Sequence, residues 1–244
     1  MEHHGAQDSD HRSAQGDPAA QAPRHGFQGD RGAVPVRSSV PASLTVALSR
    51  EAGARGGSIG RRVGRKLGWQ VYDQELLEYI AQEGTVRQEL LGDLDPAAAG
   101  WVEDRLQLLL RERNLSQQPP VLNLAQVILA LGAQGQVVLV GRGAGCILPH
   151  ESTLSVRIVA PLADRIAYMG QWLRLTLEEA AERVRLRDSR RVEFLTAHFH
   201  RQPGDVYQYD LLLNSSLLGE ELGAELIVQA ARAKLEARLA AGSR

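Results

Sequence analysis

The chain has 244 residues, a formal net charge of −1, 43% hydrophobic residues and one cysteine. That is enough for one sizeable α/β domain, too neutral for a general nucleic-acid binder, and incompatible with an intrachain disulfide. No window approaches a transmembrane span and the N-terminus lacks the apolar core of a secretion signal, so a soluble, cytoplasmic protein without a membrane partner is expected.

Residues 1–42 are rich in Gly, Gln, Asp, His, Pro and Ala and poor in branched aliphatics. A segment of that composition cannot bury a core, and a disordered tail is expected. Its four histidines (His3, His4, His11, His25) lack ligand-like spacing. The folded domain is expected over residues 43–244.

Leu44 to Leu48 reads as an apolar strand and Ile59 to Leu67 as a helix. Between them runs Ser49-Arg-Glu-Ala-Gly-Ala-Arg-Gly-Gly-Ser-Ile-Gly60, a glycine-rich turn in strand-to-helix context. Such a turn aims backbone N–H groups and a helix N-terminus at one point, which suits phosphate; the competing reading is a tight turn with no ligand. A Walker A loop would end in Gly-Lys-Ser/Thr, but here Gly56, Gly57 and Ser58 stand in that place. Only Lys66 and Lys234 of the 28 basic residues are lysine. Lys66 lies eight residues into the helix from Ser58, about 12 Å from the loop mouth. Any cation meeting phosphate is therefore expected to be arginine, whose planar fork grips two oxygens at once.

Trp69 to Tyr72 reads as a second strand ending at Asp73, with a helix over Gln74 to Ala81. Apolar residues at three-to-four spacing predict helices over Pro96 to Arg113 and Val121 to Leu131. Gln136 to Val140 is a continuous apolar strand of the doubly buried kind, ending in Gly141-Arg-Gly-Ala-Gly145. Leu154 to Val159 is a further strand, and Leu162 to Met169 begins a helix. Thr176 with Glu179 forms a capping-box signature for a helix toward His200. Tyr209 to Leu213 is the last strand and Glu220 to Leu239 a terminal amphipathic helix. Alternating strands and helices predict a parallel sheet covered on both faces, binding at the C-terminal strand ends.

Ser49-Arg-Glu-x-Gly53, Gly56-Gly57-x-Ile59-Gly60, Leu67-Gly68, Tyr72-Asp73, Gly141-Arg-Gly-Ala144, Asp188-x-x-Arg191 and Tyr209-Asp-Leu-x-x-Asn214 occur in this order. Together they resemble the cytidylate kinase-like family of P-loop nucleoside monophosphate kinases, over about residues 44–238. The resemblance implies a three-layer P-loop fold with a central parallel sheet, helices on both faces and a helical lid at about residues 170–205. It also implies phosphoryl transfer from ATP to CMP or dCMP with Mg²⁺ as cofactor, so nucleotides are the expected ligands.

Carried onto this sequence, the resemblance implies that Gly53, Ala54, Arg55, Gly56, Gly57 and Ser58 wrap the donor phosphates. Ser58 would stand at the metal, Asp73 at the start of the acceptor region, and Arg142 at the acceptor phosphate. Gly143 replaces an aspartate expected to organise that metal. Asp73 is equally well placed to cap the helix after it. Arg50 and Arg55 are the candidates to replace the absent lysine. In the late helix Arg183, Arg187 and Arg190 or Arg191 recur along one face, where the resemblance places lid arginines that neutralise transition-state charge. Asp188 would orient this group or bridge to the acceptor. Arg55, Arg187, Asp188 and Arg191 thus form the expected catalytic set, with a solvated charged helix face as the plainer reading of the late helix.

Two further readings compete. The missing lysine and Gly143 suit a nucleotide-binding regulatory protein of the same fold that has lost transfer activity. A dinucleotide-binding oxidoreductase would use Asp73, about twenty residues after Gly53, as a ribose-binding acid. Its loop, however, should read Gly-x-Gly-x-x-Gly, and this one does not.

Overall fold

A computed structural model describes residues 43–242, and the tail expected over residues 1–42 lies outside them. In chain order the elements are β1 (Thr45–Arg50), α1 (Gly56–Leu67), β2 (Gln70–Tyr72), α2 (Gln74–Gln82), α3 (Gly84–Gly92), α4 (Pro96–Arg111) and α5 (Pro119–Gln134). They continue with β3 (Val137–Val140), α6 (Ala144–Ile147), β4 (Thr153–Val159), α7 (Leu162–Leu173), α8 (Leu177–Phe199), β5 (Leu211–Asn214) and α9 (Ser215–Gly242).

The five strands form one parallel sheet in the order β2-β3-β1-β4-β5. The first strand therefore sits between the third and fourth. In the dinucleotide-binding fold the second strand lies beside the first, so the oxidoreductase topology is excluded. This chain has the doubly covered, P-loop kinase type of sheet.

Pleating explains the two layers. On β3, Val137 and Leu139 pack with α2, α4 and α5 on one face, while Val138 and Val140 join Ile59 and Val63 of α1 and Ile227 and Val228 of α9 on the other. Ile59 is fully buried and anchors the first turn of α1 to the sheet; truncating it to alanine costs about 2–5 kcal/mol.

Three local outcomes differ from the sequence reading. β1 continues two residues beyond Leu48, because Ser49 and Arg50 still pair with Arg157 and Ile158 of β4. α3 was not expected: none of its residues is fully buried and only Val86 and Leu90 pack, half-buried, against the core, so its apolar stripe is too short to read. α9 contains a break at Gly219 (φ 71°), which is where the sequence predicts the terminal helix to begin. Among the described residues no helix is long and apolar enough to cross a membrane.

Candidate phosphate-binding site

The site lies where the C-terminal ends of β1 and β3 meet the heads of α1 and α2, the position that parallel sheets reserve for ligands. Leaving β1, the chain turns through Glu51 to Arg55 and enters α1 at Gly56. Ala54 N donates to Glu51 O (3.3 Å) and Ile59 N to Arg55 O (3.0 Å). Arg55, the N-cap, is left-handed (φ 58°) and makes no side-chain cap. The N–H groups of the first turn of α1 thus point outward without a side-chain acceptor, with the positive end of the helix dipole behind them.

Next to the loop is a cavity of about 460 Å³. Seven arginines line it, Arg50, Arg55, Arg61, Arg142, Arg187, Arg190 and Arg191, against three acids, Glu51, Asp73 and Glu75. Two of the acids are already engaged. Glu51 accepts from Ala160 N (3.1 Å) and lies 3.4 Å from Arg165 Nε. Asp73 caps α2 by accepting from Leu76 N (3.0 Å), so its capping position and its place in the cavity coexist. Arg142 pairs with Glu78, and Arg191 Nη1 lies 3.6 Å from Asp188 Oδ1. For the other five arginines no carboxylate lies within ion-pair distance among the described residues.

This crowding acts on the guanidinium groups. Burial, then repulsion from Arg191, Arg142 and Arg187, lowers Arg50 to about 9, with only Asp73 pulling upward. Burial also lowers Arg142 and Arg191, the latter opposed by Asp188. Several cations kept close together without matching carboxylates raise the free energy of the empty site, and an anion relieves it.

Asp188 does not line the cavity. Its Oδ1 accepts from Ala52 N (2.7 Å) in the phosphate loop and its Oδ2 from Arg165 Nη1 (2.5 Å) on α7. Arg165 in turn donates to Ala52 O (3.2 Å) and Ala160 O (3.0 Å). The carboxylate therefore latches α7 and α8 onto the loop and holds Arg191 from behind, with no oxygen turned toward an acceptor. Gly143 and Ala54 also lie off the cavity lining. A Cβ on Gly143 (φ 71°) would stand 2.5 Å from the Phe199 ring, so glycine there admits the end of α8. Ala54 is fully buried in the core beneath the loop. Arg183 is likewise absent from the lining, whereas Gly53, Gly56, Gly57 and Ser58 belong to it.

The sequence reading missed an aromatic wall. The Arg55 guanidinium lies 5.0 Å above the Tyr168 ring, Tyr168 and Trp172 are 5.9 Å apart, and Arg142 lies 4.7 Å from the Phe194 centroid. The two guanidinium distances are cation–π distances, and Tyr168 with Trp172 is an aromatic pair. Tyr168 and Trp172 at i, i+4 on α7 were a readable signal in a chain only 5% aromatic. Arg61, one turn after Ser58, was another: its Nη2 donates to Ser58 Oγ (3.4 Å).

As for a metal, no group of three or more His, Cys, Asp or Glu among the described residues could hold one. The hard oxygens on the lining, Ser58 Oγ with Asp73 and Glu75, fit a Mg²⁺ that arrives with phosphates and keeps much of its water. They do not form a self-sufficient cage.

The sequence model of the cytidylate kinase-like family matches residues 45–217. The chain belongs to the cytidylate kinase-like family. The matched region includes the phosphate loop, Arg142 and the arginines of α8. Among solved structures, an uncharacterized protein from Eubacterium ventriosum superposes with a TM-score of 0.55 at 15% identity, over 78% of this chain and 99% of that one, a likeness of fold. Shikimate kinase from Bacteroides thetaiotaomicron gives a TM-score of 0.42 at 16% identity, over 79% and 98%. A uronate isomerase from Corynebacterium glutamicum is 31% identical over 102 residues, 42% of this chain. The chain spans only 20% of that protein's length.

Proposed function

We propose that this family member is an ATP-dependent nucleoside monophosphate kinase with CMP or dCMP as acceptor. One observation carries the reading: arginines without carboxylate partners converge with the N-terminus of α1 on a single cavity at the C-terminal end of a P-loop kinase-type sheet. The family's resemblance to cytidylate kinases supports the choice of acceptor.

In this reading the amides of Gly56, Gly57 and Ser58 hold the donor β- and γ-phosphates, and Ser58 Oγ turns from Arg61 to the metal. A Mg²⁺ arriving with the nucleotide would be held by Ser58 with Asp73 and Glu75 and would supply positive charge against the donor phosphates. Arg142 receives the acceptor phosphate, which must displace Glu78, and Asp73 borders the acceptor region. The attacking acceptor oxygen forms a bond to the γ-phosphorus as the bond to the β,γ-bridging oxygen breaks, leaving ADP. Arg187 and Arg191 neutralise the charge spread over the equatorial oxygens between these two states. The α7–α8 hairpin acts as the lid, keeping water from competing as acceptor.

A specific observation favours a second reading. With Gly143 in place of an acid and the carboxylates of Glu51, Glu78 and Asp188 engaged elsewhere, metal support is thin, which suits binding without transfer. Coupled turnover with ATP, Mg²⁺ and a panel of nucleoside monophosphates separates the two. ADP release that depends on CMP or dCMP supports the kinase. Tight ATP binding with no ADP for any acceptor supports a regulatory nucleotide-binding protein.

A further inference from the structure

The cavity leaves open which cation does the work of the absent lysine. We propose that Arg50 supplies that charge, entering from the strand through the space that Gly56 leaves free at the head of α1. The proposal rests on the phosphate-binding reading above and deepens it.

The packing is reciprocal. A Cβ built on Gly56, the first residue of α1, would stand 2.6 Å from Arg50 Cβ and 2.9 Å from Arg50 Cγ. The stem of Arg50 therefore already fills the path that a side chain at position 56 would take. At Gly57, by contrast, a Cβ would meet only Arg61 Nη1, at 3.7 Å. Glycine is compelled by packing at position 56 and not at position 57. Farther out, the Arg50 guanidinium passes over Gly141 at the end of β3, where a Cβ would stand 3.0 Å from Cζ. Two glycines on separate loops thus keep a channel open for one arginine.

The guanidinium at the end of that channel has no ion-pair partner among the described residues. Among them it makes no hydrogen bond either; it is half-buried, repelled by Arg191, Arg142 and Arg187 and attracted only by Asp73. A half-buried cation crowded by like charges and without an ion pair opposes folding unless an anion meets it. Arg55, the other candidate, is directed instead over Tyr168 on α7. Planar guanidinium and tetrahedral phosphate can share two hydrogen bonds, so Arg50 does more than return one point charge.

The test is an exchange of positions in the full chain, read by calorimetric binding of inorganic tripolyphosphate and by thermal melting. Arg50→Ala should weaken binding at least about tenfold, the loss expected for a charge-assisted contact, while the free protein melts at the same temperature or higher. Arg50→Lys should keep most of the affinity. Gly56→Lys alone should destabilise the protein, because its stem collides with Arg50. The double variant Arg50→Ala with Gly56→Lys should melt better than Gly56→Lys and bind within about threefold of wild type. Binding by Arg50→Ala within twofold of wild type overturns the proposal. So does a folded double variant that binds no better than Arg50→Ala. Should the double variant fail to fold, affinity kept by Arg50→Lys and lost by Arg50→Ala decides in favour, and equal affinities decide against. Failure of the underlying phosphate reading shows separately, as wild-type protein that does not bind tripolyphosphate, and that result sinks both.

Discussion

Helix α1 carries cations on two of its faces, and their surroundings differ. On the flank toward α9, Arg62 bonds Glu220 (3.3 Å) and Glu221 (2.9 Å), and Lys66 reaches Glu221 (2.8 Å) and Glu225 (3.1 Å). At its head, Arg55 and Arg61 join Arg50, Arg187 and Arg190 around a cavity with no carboxylate in ion-pair range among the described residues. Paired charge fastens one helix to another and is satisfied in the free protein. Convergent unpaired charge opposes folding and would be relieved by an anion, so the same residue type is scaffold on one face and a candidate binding group on the other.

The strongest way to break this contrast is Asp188→Ala, because Asp188 pairs with a scaffold arginine, Arg165, and with a cavity arginine, Arg191. The substitution removes one of the two carboxylates paired with the buried Arg165, leaving Glu51, and should cost about 1–3 kcal/mol in denaturant unfolding. Binding of tripolyphosphate should fall as well, since Ala52 and Arg191 lose their anchor. A stability loss with unchanged affinity would make the latch purely structural.

Next are Arg187→Ala and Arg191→Ala. Each should weaken ATP binding about tenfold or more by calorimetry while the free protein keeps or gains thermal stability. A clear drop in free-protein melting temperature for Arg187→Ala would move it to the paired class.

A pH series sharpens the contrast further. Burial and the neighbouring arginines lower Arg50 to about 9 in the free fold, so the unfolded chain holds that proton more tightly and the charged form opposes folding below about pH 9. A bound anion favours the charged form. The rise in melting temperature caused by tripolyphosphate should therefore shrink as pH increases from 7 through about 9 to 10. A ligand effect that grows over this interval would contradict the assigned role of Arg50.

The smallest effect separates neighbours on one element. Arg55→Ala should weaken ATP binding several-fold, whereas Arg65→Ala, outside the arginine-lined cavity, should leave it unchanged. Arg62→Ala should also spare binding and move the melting midpoint by about 2 °C or less, as expected for a partly exposed ion pair. Equal responses from Arg55→Ala and Arg65→Ala would remove Arg55 from the site.

Much of the frame was legible in the residues. The continuous apolar run Val137 to Val140 marked a strand buried on both faces, and Thr176 with Glu179 marked the start of α8, where both capping-box bonds form. The glycine turn between β1 and α1 was legible because glycines cluster between a strand pattern and a helix pattern. Arg187 and Arg191 could be placed on one helix face from their spacing alone, and both line the cavity. α3 could not be read, because its half-buried stripe of Val86 and Leu90 is too short to leave a periodic trace. Asp188 could not be read either: its partner Ala52 lies 136 residues away, and nothing in the spacing shows that a carboxylate on α8 meets an amide in the loop.

The sequence by itself determined the alternation of strands and helices, the glycine turn and the near-total use of arginine as the cation. These follow from local conformational preference and hydrophobic period, which act within a few residues. Only the tertiary structure decided which arginines remain unpaired, that Asp188 serves as a latch, and that Gly56 and Gly141 make room for Arg50. The physical reason is that charge pairing and steric exclusion depend on distances of a few ångströms between segments far apart in the chain. Those distances exist only once β1, β3 and α8 have come together.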